Sequence, residues 1–104
     1  MEGIELVAFQ IIASVGSARS CYVEAIQEAK AGNFEQADAL LKEGDKNFNE
    51  GHHAHAGLIQ QEASNEQVDI KLILMHAEDQ LMSAESFKVI AQEFIEVHKL
   101  LQGK

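Results

Sequence analysis

A chain of 104 residues without a single proline has lost the strongest helix breaker, and this absence narrows its folds more than any motif does. Long helices are the expected outcome, and the apolar spacing supports them. Ile4, Ala8, Ile11, Val15, Ala18, Tyr22, Ala25 and Ala29 recur at steps of four and three, one stripe on a helix of about eight turns. Gly32 then suits the left-handed position after a helix end, and Asn33 suits the N-cap of the next helix, with Gln36 three residues on. Phe34, Ala37, Leu41, Gly44, Phe48, Gly51, His55 and Ile59 form a second stripe. Its glycines weaken the helix by up to about 1 kcal/mol each but let a neighbour approach closely. Ser64-Asn65-Glu66-Gln67 is the other turn-like cluster. Beyond it Ile70, Leu74, Ala77, Leu81, Ala84, Phe87, Ala91, Phe94, His98 and Leu101 form a third stripe, on a helix on the order of 50 Å long. Phe87 and Phe94 read as core. One domain over residues 1–104 follows, with helices at about 3–31, 34–63 and 66–102 in an all-α, up-down-up antiparallel three-helix bundle.

Charge limits the partners. Seventeen acidic residues against eight basic ones leave a formal charge of −9, which repels nucleic acid and anionic membrane surfaces. The N-terminus lacks the basic region of a signal peptide, and no uninterrupted apolar run approaches the ~18–20 residues of a membrane span. The lone Cys21 cannot close an internal disulfide, reads as a small buried hydrophobe, and fits a cytoplasmic location.

The third helix carries a second stripe, Leu72, Met75, Asp79, Met82, Ser86 and Val89. A three-helix monomer covers one stripe per helix, so a second one is expected at a subunit interface. Asp79 lies in its middle between Met75 and Met82. A carboxylate there must be protonated, paired, bound to a cation or left at a wet edge. His76 stands one turn before Asp79, next to both stripes and near a groove between helices.

The string Leu72-Ile-Leu-Met-His76-Ala-Glu-Asp79-Gln-Leu-Met82 resembles the active-site helix of the lactose/cellobiose-specific IIA components of the sugar phosphotransferase system. Ile11-Ile-Ala-Ser-Val-Gly16-Ser-Ala-Arg19-Ser20 is similar to the family's first helix. Ala29-Lys-Ala-Gly32-Asn-Phe34, with Ala37-Asp38 and Leu41, is similar to its first turn and second-helix start. The resemblance implies a trimer, a nine-helix bundle, with His76 as the phosphorylated histidine. It also implies that Asp79 meets its symmetry mates around one divalent metal per trimer, with Mg2+ expected. The implied donor is HPr, the implied acceptor the cysteine of the IIB component, and the implied cargo a β-linked disaccharide of the cellobiose, lactose or chitobiose class. Met75 and Met82 are expected to give adaptable apolar contact around the site, and Gln80 to support it. The family often has Gln-Thr where this chain has His55-Ala56, so His52, His53 or His55 is expected to take the supporting role.

Two other readings compete. Ala29, Gly32, Phe34 and Ala37 echo half of a tetratricopeptide repeat, a peptide-binding adaptor, but no second copy follows. The histidines at 52, 53 and 55 suggest a metal-binding bundle, although no further ligand stands at a matching spacing.

Overall fold

A computed structural model describes residues 3–103 and contains three helices, α1 (Ile4–Lys30), α2 (Phe34–Ala63) and α3 (Leu72–Gln102). They run up, down and up in an elongated bundle of 56 × 24 × 19 Å. α1 is the shared partner: it packs extensively on both other helices, while α2 and α3 touch each other sparsely.

The α1 stripe is buried from Ala8 to Ala29 as its spacing predicts. Tyr22, Ile11 and Val15 are its largest fully buried side chains. By length and composition α1 could also cross a membrane, although it has no unbroken apolar run. In the bundle its buried stripe packs against α2 and α3. The glycine expectation holds at two positions of α2. A Cβ on Gly44 would lie 2.6 Å from Tyr22 Cε1, and one on Gly51 would lie 2.7 Å from Val15 Cγ1. Gly57 faces open space and has no packing reason within the chain.

A left-handed residue follows both α1 and α2. Gly32 (φ 84°) closes α1, where the amide of Asn33 donates to Glu28 O at 2.9 Å. Asn33 occupies the N-cap position of α2, but its side chain does not cap; its amide nitrogen instead donates to Glu28 Oε2 at 2.8 Å. Asn65 (φ 65°) closes α2, and the amide of Glu66 donates to Gln61 O at 3.1 Å.

Four expectations need correction. α3 begins at Leu72 rather than Glu66. Residues 66–71 lie outside any helix, where Val68 and Asp69 are weak helix formers and Ile70 is 65% exposed with nothing to pack on. Lys71 bonds across to Glu5 Oε1 at 2.8 Å and, in an extended conformation, precedes the first turn of α3. Second, Phe94 is 46% exposed and Phe87 only half-buried, because both lie at the stripe's edge and Ile95 fills the core position. Third, Leu40 rather than Leu41 is the buried leucine of α2, while Leu41 packs half-buried between the two core clusters. Fourth, Ile59 and Leu101, the last members of their stripes, are exposed.

Candidate functional site

α3 presents three distinct surfaces. Its buried side carries Leu74, Ala77, Leu81, Ala84, Ala91 and Ile95 against the bundle. Opposite lies the second stripe, fully developed: Leu72, Met75, Met82 and Val89 are all more than half exposed. The same face continues through Val97 and Leu100 to the end of the helix. Asp79 is exposed among these apolar residues. A face this long and apolar has no partner within the chain.

His76 stands on the border between that face and the α1 side of α3. It is exposed. Its facing follows from helical geometry: each residue turns the helix by about 100°, so Phe87, eleven positions on, returns to within about 20° of His76. Phe87 meets α1 directly, with the Arg19 guanidinium 4.9 Å from its ring centroid. Gln80, one turn after His76, lines a groove with Gly16, Arg19 and Ser20 of α1. The groove adjoining His76 therefore lies between α1 and α3.

The histidines of α2 lie elsewhere. His55 Nε2 sits 3.6 Å from Glu78 Oε2, and Glu78 is about 200° around α3 from His76. Within one chain His55 and His76 are thus on opposite sides of α3. His52 stacks on Phe48 with ring centroids 6.0 Å apart, and His53 is exposed. The supporting role expected of these three has no basis in the single chain, because α2 meets the other flank of α3. Of the expected site residues, the structure brings His76 and Gln80 to one flank. Met75, Asp79 and Met82 share the open face.

Among the described residues no three His, Cys, Asp or Glu side chains converge as a metal site. Asp79 offers one hard oxygen-donor carboxylate, a type that suits Mg2+ or Ca2+, so a cation there needs donors from other chains. Cys21 is half-buried on α1, and burial, with Glu43 and Glu24 nearby, pushes its thiol up and keeps it protonated.

Sequence reasoning missed a polar tie further along the bundle. The Tyr22 hydroxyl donates to Asp45 Oδ1 at 2.7 Å, and Lys88 Nζ lies 3.6 Å from the same oxygen, so α1, α2 and α3 are joined at one level. The signal was available: a tyrosine inside an apolar stripe needs a partner for its hydroxyl.

Comparison with known proteins gives the family and the fold. Residues 6–99 match the family described as "PTS system, Lactose/Cellobiose specific IIA subunit". The chain is 37% identical to the oligo-beta-mannoside-specific EIIA component of Bacillus subtilis, over 91% of this chain and 86% of that one. It superposes on the cellobiose-specific enzyme IIA of Bacillus anthracis with a TM-score of 0.95 at 40% identity, covering 100% of this chain and 96% of that one. It also superposes on IIA(Chitobiose) of Escherichia coli, solved in complex with HPr, with a TM-score of 0.83 at 31% identity, covering 98% and 99%.

Proposed function

The chain belongs to the lactose/cellobiose-specific IIA subunits of the phosphotransferase system, and from that membership we propose that it is a cytoplasmic phosphocarrier with His76 as its phosphoryl acceptor. HPr is the donor, the cysteine of a cognate IIB component is the acceptor, and the transported sugar is a β-linked disaccharide. The observation that carries the reading is the position of His76: an exposed imidazole one turn before Gln80, which lines the groove between α1 and α3, open to one partner protein after another. A solved relative in complex with HPr supports the donor.

The chemistry suits an imidazole. A neutral ring nitrogen attacks phosphorus in line, forming a new N–P bond as the donor's N–P bond breaks and its imidazole keeps the electron pair. In the second step a cysteine thiolate of the acceptor attacks, an S–P bond forms, and His76 leaves with its electron pair restored. Histidine is suited to this because its imidazole offers a nucleophilic ring nitrogen and is an equally competent leaving group.

The exposed α3 face supports a homotrimer in which three copies of α3 pack together. Asp79 would meet its mates there, and a shared divalent cation, Mg2+ being the expected one, would neutralise three adjacent carboxylates. The adaptor reading is set aside by the family match, and the metal-buffer reading gains nothing from the scattered histidines.

The test is incubation with phosphoenolpyruvate, enzyme I and HPr, followed by mass measurement. One acid-labile, base-stable phosphate per chain is expected. A His76→Ala variant that still takes up the label overturns the assignment.

A further inference from the structure

Arg19, like Lys30, Lys42 and Lys46, has no carboxylate partner among the described residues, but of these four it is the one that lies over an aromatic ring. Lys71, Lys88 and Lys99 each lie beside a carboxylate, at 2.8, 3.6 and 3.4 Å. Arg19 makes no ion pair among the described residues. Its guanidinium lies over the Phe87 ring at 4.9 Å. Stacking uses the flat face of the group and leaves its N–H edges unspent.

The surroundings show where those donors lead. The open groove between α1 and α3, about 440 Å³, is lined by Gly16, Arg19, Ser20, Val23, Glu24 and Gln80, and Arg19 is its only cation. Gln80 is the α3 residue on this groove. His76 lies one turn, about 6 Å, before Gln80 along α3, and Phe87 lies about 10 Å after it, all three on one flank. Arg19 thus sits level with the Phe87 end of this stretch, and its side chain has to swing towards the start of α3 to approach His76. Gly16, one turn before Arg19, leaves the path towards His76 open, since a Cβ there would meet nothing within 4 Å.

Phosphorylation of His76 changes the balance at this place. It adds up to two negative charges and three acceptor oxygens to a chain that already carries −9, with Asp79 one turn away. A charge-assisted, bidentate contact between guanidinium and phosphoryl is stronger than a cation–π contact at an exposed site. We propose that Arg19 clamps the phosphorylated state: when His76 carries a phosphoryl group, the guanidinium leaves the Phe87 ring and moves along the groove to pair with the phosphoryl oxygens beside Gln80. The clamp rests on the phosphocarrier reading and assigns Arg19 to holding the group; it makes or breaks no covalent bond.

Two measurements test it. In wild-type protein, the Phe87 ring and Arg19 Nε–H resonances are followed by NMR before and after phosphorylation by enzyme I and HPr. Both are expected to move together, and unchanged resonances overturn the clamp. Second, the equilibrium between phospho-HPr and this protein is measured for wild type, Arg19→Gln and Arg19→Lys, with melting curves as a control on folding. Arg19→Gln is expected to lower the equilibrium constant about tenfold, the scale of one charge-assisted hydrogen bond, and Arg19→Lys to restore part of it. An Arg19→Gln variant that is phosphorylated at His76 as fully as wild type refutes the clamp alone. A wild-type protein that takes up no phosphate refutes both the clamp and the carrier function beneath it.

Discussion

Tyr22 shows how one residue can be both core and polar. Its ring fills the space left by Gly44, and its hydroxyl reaches Asp45. Tyr22→Phe removes a single hydrogen bond and should cost about 1 kcal/mol, read as a melting point lower by about 4–8 °C. Gly44→Ala puts a methyl group into the ring and should cost about 1–3 kcal/mol. Gly57→Ala, on the same helix with open space around it, should instead stabilise by up to about 1 kcal/mol. Thermal melts of the two alanine variants should move in opposite directions, and equal shifts would contradict the packing. Burial first, then the bond to Asp45, raises the Tyr22 pKa far above its ordinary value near 10. The folded chain keeps this proton where the unfolded chain loses it, so above pH ~10 stability falls as pH rises. Because the chain has one tyrosine, tyrosinate absorbance should appear only together with loss of helix. Its appearance in the folded protein would refute the buried hydroxyl.

At the scale of elements, the open face of α3 makes the clearest prediction. Asp79 is the carboxylate at its middle, flanked by Met75 and Met82. If three copies pack through this face as proposed, Asp79→Leu should keep the trimer or strengthen it by about 1–4 kcal/mol, measured by dilution in sedimentation equilibrium, because a packed apolar group replaces a charge that is costly to bury. Dissociation into monomers would show that the carboxylate itself holds the assembly. This face was legible from Leu72, Met75, Met82 and Val89, as was the whole buried stripe of α1, because regular spacing translates directly into one side of a helix. Less was legible where tertiary contacts decide. Whether residues 66–71 join a helix depends on Asn65 turning left-handed and Lys71 reaching Glu5, neither of which spacing records. Phe94 lies at the stripe's edge, where periodicity alone does not tell a covered ring from an exposed one. His76 is a candidate in the sequence through its neighbours Asp79 and Met82. The side of α3 it faces was not, since that depends on how α1 and α2 flank the helix.

For the molecule as a whole, the acidic balance of −9 favours partners with positive contact surfaces. Rates of phosphoryl uptake should therefore fall as salt is raised, while melting temperature changes little; salt-independent rates would show that steering plays no part. The uneven packing has a further consequence for how the bundle is put together. α2 and α3 each rest on α1 and only lightly on one another, and the strand of chain between them, 66–71, is mostly exposed. The covalent link across that stretch should thus be dispensable. A polypeptide ending near residue 66 forms a hairpin with a vacant seat on α1, and a separate peptide carrying the last helix should find that seat and reconstitute the protein.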